Sequence, residues 1–175
     1  MTPVGRILAA VPTGLTRPVI LIDGGAGAGK TTLAAALAQA WDGPLQVVGM
    51  DDFYPGWGGL AEASRAVAEQ VLRPSDPGYR RWDWGRSKPA EWVPIDPGLP
   101  LLLEGCGALT PASRALADLG VWCDLDAAER ERRAIARDGE TFAAHWAEWR
   151  AQQAEHWRRH RPWELADLRV TVGQA

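Results

Sequence analysis

The sequence Gly24-Gly25-Ala26-Gly27-Ala28-Gly29-Lys30-Thr31-Thr32 is the most informative part of this chain. It matches the P-loop pattern G-x-x-x-x-G-K-[ST], in which glycines let backbone N–H groups turn towards a polyphosphate. An apolar, β-branched run at 19–22 precedes it, and a run of strong helix formers at 33–41 follows it. Strand, glycine loop and helix in this order is the context that the motif requires. The stretch therefore predicts a phosphate-binding loop at a helix N-terminus, where the helix dipole also favours an anion.

Two residues of this loop carry specific chemistry. Lys30 is expected to reach the β- and γ-phosphates of a nucleotide, and the hydroxyl of Thr31 is expected to bind Mg²⁺. Lysine is scarce here, since only two of the 19 lysine and arginine residues are lysines, so its presence at the motif position is informative. A glycine-rich turn without a ligand is the alternative. We predict that these loop residues hold ATP: Gly25, Ala26, Gly27, Ala28, Gly29, Lys30, Thr31 and Thr32.

The bulk composition is that of an ordinary globular protein. With 175 residues, 46% of them hydrophobic and 23% charged, the chain is expected to form a single domain, 1–175, with a full core. A formal net charge of −3 gives no electrostatic footprint for nucleic acid or an anionic membrane. No apolar run approaches the ~20 residues that span a bilayer, and no signal peptide is recognised. Cys106 and Cys123 lack metal-ligand spacing and are predicted to be buried thiols of a cytoplasmic protein.

The order of the predicted elements indicates a parallel α/β sheet. Alternation of strands and helices is typical of such sheets, with helices covering both faces. The segment 74–98 is dense in Pro, Gly, Trp and Arg, and we predict an ordered excursion over the sheet edge without regular structure. Strands are predicted over 18–22, 45–48, 101–103, 120–124 and 168–172, and helices over 5–11, 33–41, 60–72, 111–118 and, in two parts separated at Gly139, from 127 to 160.

A pair of carboxylates, Asp51 and Asp52, comes directly after the second predicted strand. The carboxyl ends of parallel strands share one edge of the sheet with the P-loop, so Asp51 is expected to project towards the γ-phosphate. A carboxylate there can accept the proton of an acceptor hydroxyl. Phe53 and Tyr54 follow and offer flat faces for a planar or sugar-like substrate. The alternative is that the carboxylates cap a turn and the aromatic rings fill the core.

Four strings, in the same order over about residues 19–138, resemble the uridine kinase group of P-loop kinases. They are I-D-G-x-x-G-x-G-K-T-T, D-x-F-Y, L-L-x-E-G and D-x-D-x-x-x-R-x-x-R-x-x-x-R-D. The resemblance implies a three-layer α/β/α P-loop NTPase fold with a five-stranded parallel sheet and a mobile helical lid. It also implies transfer of the ATP γ-phosphate to a hydroxyl of a small, nucleoside-like acceptor. In that reaction Asp51 is the catalytic base, and Asp52, Phe53 and Tyr54 belong to the acceptor site.

The same resemblance assigns Glu104, at the end of the third predicted core strand, to Mg²⁺, bound directly or through water. The chemistry agrees, because a carboxylate beside the P-loop would complete the oxygen shell of the metal together with Thr31. An ion pair at the strand end is the alternative.

Trp82 and Asp83 fall where uridine kinases carry F-D-H-P, a segment that lines the nucleoside site. By this resemblance Trp82 stacks on a base and Asp83 hydrogen-bonds a sugar hydroxyl. Trp84 stands where that family has histidine. The alternative is that these tryptophans are surface aromatics covering the core.

Three arginines, Arg130, Arg133 and Arg137, recur at three- and four-residue steps, which places them on one helix face. Arginines that face a polyphosphate would neutralise charge on the transferring phosphoryl group, as a lid does on closure. We therefore expect a lid over about 130–145, with Arg130 binding the nucleotide. Arg133 and Arg137 are expected to act in catalysis with Lys30. The alternative is a solvated face on which the arginines pair with nearby carboxylates: Glu129, Glu131 and Asp138.

Beyond Asp138 the resemblance weakens, because uridine kinases continue with a further arginine pair around a glycine. This chain instead has Gly139-Glu140-Thr141-Phe142. A stripe at helical spacing in the next helix is predicted to be a packing face rather than a ligand site. Its members are Trp146, Trp149, Gln153 and Trp157.

Two other functions stay open at this stage. Arg80, Arg81 and Arg86 lie beside Trp82 and would suit a kinase for a nucleoside monophosphate or another acidic metabolite. A regulatory ATP-binding module without catalysis is the other alternative, whereas a GTPase switch usually carries N-K-x-D, which this chain lacks. The predicted partner is a small-molecule acceptor, and the sequence indicates no oligomeric state.

Overall fold

The computed structural model describes residues 1–173, except the side chains of residues 137, 138 and 140–142. In chain order its elements are α1 (Pro3–Ala10), β1 (Val19–Gly24), α2 (Lys30–Ala40), β2 (Gln46–Gly49), a 3-10 turn (Met50–Asp52), α3 (Leu60–Ala66), a π-helical turn (Val67–Val71), β3 (Gly78–Asp83), β4 (Lys88–Pro94), β5 (Leu101–Glu104), α4 (Pro111–Arg114), β6 (Leu119–Cys123), α5 (Ala127–His160), α6 (Pro162–Leu165) and β7 (Leu168–Val170).

Five parallel strands form the central sheet in the order β2-β5-β1-β6-β7, which confirms the predicted sheet. Every residue of β1, β5 and β6 is buried, as expected for continuous apolar strands covered on both faces. The register aligns Gly49 of β2 and Ile22 of β1 with Glu104 of β5. It also aligns Gly24, at the start of the P-loop, with Cys123 of β6. The P-loop and the carboxyl ends of β2 and β5 therefore meet at one edge of the sheet.

Helices cover both faces of the sheet, which gives the predicted three-layer α/β/α fold. On one face Ile22 of β1 belongs to a buried cluster with Ile7 of α1 and Leu37 of α2. On the other face Leu103 of β5 belongs to a second cluster, which includes Trp149 of α5. Each apolar face is thus removed from water, which is the main favourable contribution to folding.

The prediction of no regular structure over 74–98 is wrong. This segment forms an antiparallel hairpin of β3 and β4, with Gly78 paired to Pro94 and Asp83 to Lys88. Two prolines in β4 and an irregularity between Arg80 and Trp82 obscure the alternation that usually marks a strand. Prolines are tolerated in such a two-stranded hairpin because each strand has a free edge.

The break in the long C-terminal helix lies where the sequence placed it. Gly139 has a φ of 65° and a ψ of −151°, so the backbone leaves helical geometry there while α5 continues to His160. Glycine reaches this conformation without the strain that a Cβ atom would add. Among the residues that the structure describes, no helix is both long enough and apolar enough to traverse a lipid bilayer.

Candidate active site

The P-loop has the backbone geometry of an anion cradle. Gly27 and Gly29 have φ values of 80° and 89°, which favour glycine, and Gly29 precedes the first turn of α2. A Cβ atom at Gly27 would lie 2.0 Å from the carbonyl oxygen of Arg130, so the loop packs against α5 too closely for any side chain. Backbone donors in such a loop, together with the N-terminus of α2, suit a polyphosphate.

Lys30 is buried within this loop. Its Nζ atom donates to the carbonyl oxygen of Gly25 at 3.0 Å and to Sγ of Cys106 at 3.3 Å. Burial works against the charged ammonium, but Cys106, Glu104 and Asp23 nearby outweigh it and raise the pKa of Lys30. Lys30 therefore keeps its positive charge beside the loop.

The two predicted metal ligands are in direct contact. The hydroxyl of Thr31 donates to Oε1 of Glu104 at 2.9 Å. Oε1 of Glu104 also lies 3.5 Å from the position that a Cβ atom of Gly49 would occupy, so the carboxylate passes over the end of β2. A hydroxyl and one carboxylate fit Mg²⁺, which usually keeps several waters and takes further oxygens from phosphates. In the described part of the chain, no group of three or more His, Cys, Asp or Glu residues could form an all-protein metal cage.

Asp51 and Asp52 lie in the 3-10 turn that follows β2, and both are exposed. The carbonyl oxygen of Asp51 accepts a hydrogen bond from Nε1 of Trp84 at 2.8 Å, which ties the turn to the β3-β4 hairpin. Partial burial and the neighbouring Asp51 raise the pKa of Asp52, against a hydrogen bond from Tyr79 and the charge of Arg81. Asp51 lies two residues beyond Gly49, and the sheet pairs Gly49 with Glu104. The turn that holds Asp51 therefore begins beside the end of β5.

Phe53 and Tyr54 pack in the core, as the alternative interpretation of these rings predicted. Phe53 is 5% exposed and Tyr54 is 2% exposed. The hydroxyl of Tyr54 donates to the carbonyl oxygen of Cys106 at 2.8 Å, and its ring meets the edge of Trp149 at a centroid distance of 4.9 Å. Neither ring therefore presents an open face to solvent in this structure. Their contact with an acceptor is not tested by these observations and stays a prediction.

An aromatic cluster lies beside the turn that holds Asp51. Trp57 stacks on His145 at a centroid distance of 4.5 Å and an interplanar angle of 8°. Trp84 and Trp149 contact the same indole at centroid distances of 5.2 Å and 6.4 Å. The cluster joins the loop after β2, the hairpin and the second part of α5. Trp57 was missed by sequence reasoning, although it follows the D-x-F-Y string by three residues.

The predicted hairpin residues have local roles in the structure. Oδ1 of Asp83 accepts from the backbone N–H of Arg86 at 3.0 Å, so this carboxylate stabilises the turn between β3 and β4. Trp82 is half-buried and lies 3.7 Å from the position of a Cβ atom at Gly56. Contact of Trp82 and Asp83 with a nucleoside stays a prediction.

The arginines of α5 divide into different environments. Arg130 is 8% exposed; its Nε donates to the carbonyl oxygen of Leu125, and its guanidinium lies over the ring of Trp157 at 5.1 Å. A Cβ atom at Gly25 would lie 2.2 Å from this guanidinium, so Arg130 packs directly on the P-loop. Arg133 pairs with Glu129 at 2.7 Å, as the alternative interpretation predicted. The side chain of Arg137 lies outside the described residues.

The hairpin arginines that suggested an acidic acceptor are engaged within the hairpin. Nη1 of Arg80 donates to the carbonyl oxygen of Ala90 at 3.0 Å. Arg81 makes two hydrogen bonds to the carboxylate of Glu91. Arg86 is paired with Asp83, although at 3.9 Å and with high exposure. All three arginines therefore have partners within the hairpin, and a phosphorylated acceptor stays the alternative interpretation.

Sequence reasoning assigned no role to Asp23, which is fully buried at the end of β1. Its carboxylate accepts three backbone hydrogen bonds, from Gly24 at 2.6 Å, Gly107 at 3.0 Å and Leu109 at 2.8 Å. Asp23 thereby joins the start of the P-loop to the loop that follows Glu104. Burial raises its pKa to about 6, although the three hydrogen bonds and the charge of Lys30 act in the opposite direction.

The second part of α5 packs as predicted but also contacts the P-loop. Trp146, Trp149 and Gln153 are buried. Oε1 of Gln153 accepts from the backbone N–H of Ala26 at 2.8 Å, a contact between residues 127 positions apart in the chain. Nε2 of His156 lies 3.9 Å from Oδ2 of Asp23, and burial lowers the pKa of His156 to about 4. Nothing in the local sequence around these residues marks such distant contacts.

Comparison with known proteins identifies the fold. No protein-family model matches the chain. A protein named as a possible uridine kinase from Bacillus stearothermophilus superposes with a TM-score of 0.64 and 20% identity, over 95% of this chain and 94% of that one. A candidate fructose transport system kinase from Silicibacter sp. gives a TM-score of 0.56 and 21% identity over 97% and 99%. A gluconokinase from Sinorhizobium meliloti gives a TM-score of 0.54 and 17% identity, over 91% of this chain and 85% of that one. The chain therefore has the fold of the P-loop kinases to which it is similar.

Proposed function

We propose that this protein is an ATP- and Mg²⁺-dependent kinase that transfers the γ-phosphate to a hydroxyl of a small, nucleoside-like acceptor. The observation that carries the proposal is the contact between Thr31 and Glu104 beside the P-loop, because it brings together the two protein oxygens that Mg²⁺ would need. A phosphate-binding loop alone does not specify a reaction. The carboxylate of Asp51, in the turn that follows β2, adds a group that can accept a proton from the acceptor.

Each residue has a distinct task in this proposal. Lys30 and the loop amides other than that of Ala26, which donates to Gln153, bind the phosphates. Arg130 packs on the loop from the side of α5. When bound, Mg²⁺ neutralises charge on the transferred group. Asp51 holds the proton that leaves the acceptor hydroxyl. This set is sufficient, because phosphoryl transfer depends on positioning and electrostatic stabilisation rather than on covalent chemistry of the protein.

A nucleoside-like acceptor is favoured over a phosphorylated one. Trp84 is exposed and hydrogen-bonds the backbone of Asp51, so its ring suits a planar base, whereas Arg80 and Arg81 are already bonded within the hairpin. A second phosphate bound near Trp82 would compete with Glu91 for Arg81. The names of two similar structures refer to a uridine kinase and a gluconokinase, so the acceptors to be tested include both nucleosides and sugar acids.

The experiment is Mg²⁺-dependent ADP release from ATP across a panel of nucleosides, nucleoside monophosphates, sugars and sugar acids. We expect one hydroxyl-bearing class to stimulate release, with nucleosides above their monophosphates. Stimulation by monophosphates alone would favour a kinase for an acidic acceptor. Binding of ATP without stimulation by any acceptor would instead indicate a regulatory ATP-binding module.

A further inference from the structure

Two adjacent glutamines of α5 bind two different loops of the candidate site. Oε1 of Gln152 accepts from the backbone N–H of Leu60, and its Nε2 donates to the carbonyl oxygen of Trp57 at 2.6 Å. These two backbone groups belong to the loop at 55–60, which follows the turn holding Asp51. The next residue, Gln153, accepts from the P-loop N–H of Ala26. One step along a single helix therefore connects the loop beside the proposed base with the phosphate-binding loop.

The orientation of the Gln153 amide follows from its partner. The amide oxygen is the only acceptor of a glutamine side chain, so Oε1 must face the N–H of Ala26. Nε2 is consequently directed away from that N–H and is buried without a hydrogen-bond partner among the described residues. Burial of the unsatisfied Nε2 donor costs free energy. The hydrogen bond from Ala26 to Oε1 is therefore what stabilises the buried position of Gln153.

The helix that carries the pair is firmly packed, whereas the loop that Gln152 holds is glycine-rich. Trp149 is buried against the core one turn before the pair, and Trp146 two turns before it. The loop contains Gly56, Gly58 and Gly59, whose backbones have more freedom than those of other residues. Gln152 therefore ties a glycine-rich loop to a well-packed part of α5.

We propose that Gln152 and Gln153 couple nucleotide binding in the P-loop to the ordering of the acceptor-side loop at 55–60. The coupling rests on the proposed function only in requiring that the P-loop binds a nucleoside triphosphate. A nucleotide that holds the P-loop in one conformation also holds Gln153 through Ala26. Because Gln152 is the adjacent residue of the same helix, its bonds to Trp57 and Leu60 are then held as well. Both glutamines are positioning residues that act through these backbone groups.

Hydrogen exchange followed by mass spectrometry tests the coupling with Mg²⁺ and AMP-PNP, which is not hydrolysed readily. In the wild type, saturating nucleotide is expected to slow exchange at 24–31 and also at 55–60, the latter by about tenfold. In Gln153→Leu at saturation, protection at 24–31 remains and protection at 55–60 is lost. Gln152→Leu gives the same loss without weakening nucleotide binding. Gln39→Leu, at an exposed position of α2, keeps both responses.

Protection at 55–60 that persists in both variants at saturating nucleotide would overturn the coupling, and so would its absence in a wild type whose P-loop is protected. Absence of protection at 24–31 in the wild type would overturn the coupling and nucleotide binding together. A lack of phosphoryl transfer to any acceptor would overturn the proposed function but leave these exchange results intact. Gln152 is half-buried and bonds only backbone groups, so its variant gives an answer even if Gln153→Leu does not fold.

Discussion

Replacing Asp23 by asparagine is expected to change how the stability of the protein depends on pH. Asp23 is fully buried below the P-loop, and burial raises its pKa from 3.8 to about 6. An acid with a raised pKa in the folded state holds its proton more tightly there than in the unfolded chain. Its contribution to stability is therefore largest at low pH and is lost as the pH rises from about 4 to about 6.

The size of this effect follows from the two pKa values. A shift of about two units corresponds to ~3 kcal/mol, of which ~2–3 kcal/mol falls between about pH 4 and pH 7. Asparagine cannot titrate, so the free energy of unfolding of the Asp23→Asn variant lacks this pH-dependent contribution. Its oxygen can keep the bonds from Gly24 and Gly107, but its amide group faces the N–H of Leu109. That lost bond costs a similar amount at every pH, about 1–3 kcal/mol, and does not affect the slope.

Urea unfolding followed by tryptophan fluorescence measures both proteins near pH 4 and near pH 7. The free energy of unfolding of the wild type minus that of Asp23→Asn should fall by ~2–3 kcal/mol over this interval. Taking the difference removes the contributions of all groups that titrate alike in both proteins. A difference that rises with pH would refute the reasoning, because it would mean that the three hydrogen bonds and Lys30 outweigh burial. A constant difference would refute it as well.

The remaining predictions concern His156, Glu104 and Gly27. His156→Leu should give the opposite slope in the same unfolding assay. Burial lowers the pKa of His156 to about 4 in the folded protein. The free energy of unfolding of the wild type minus that of the variant should therefore rise by ~3 kcal/mol as the pH increases from about 4 to 6.5. A fall would contradict the burial argument. Glu104→Gln should raise the Mg²⁺ concentration needed for half-maximal ATP turnover by about tenfold or more, and an unchanged requirement would exclude Glu104 as a metal ligand. Gly27→Ala should abolish ATP binding in calorimetry, because its Cβ atom would meet a backbone carbonyl at 2.0 Å. Gly43→Ala is the matched control, with a positive φ but no atom within 4 Å.

The parts of the site that the sequence predicted are those encoded locally. The P-loop is a continuous strand, loop and helix, so its residue types alone specify it. Glu104 ends a strand that must lie beside β1, and the structure accordingly brings it to Thr31. The β3-β4 hairpin was missed because prolines and tryptophans hide its alternation. Strand pairing there depends on contacts across the hairpin rather than on the propensity of each residue.

The contacts that the sequence could not predict join distant parts of the chain. Gln153 reaches Ala26 across 127 residues, and a glutamine on a helix stripe resembles any other packing residue. The burial of Tyr54 follows from Trp149 in α5, which no pattern near Tyr54 announces. Such roles depend on how the second part of α5 lies across the sheet. They become visible only when the tertiary fold is known.

The most direct test of the proposed kinase reaction follows the phosphoryl group itself. The assay incubates three proteins with Mg²⁺, γ-labelled ATP and the acceptor that stimulates ADP release most: the wild type, Asp51→Asn and the control Asp42→Asn. Asp42 is exposed just beyond the far end of α2. We predict that label appears on the acceptor hydroxyl with the wild type and the control, and that Asp51→Asn lowers this rate by a factor of about 10²–10⁴ while ATP still binds. Equal transfer by Asp51→Asn and the wild type would contradict the role of Asp51 as base. Label that appears only as inorganic phosphate with every acceptor would contradict the kinase assignment.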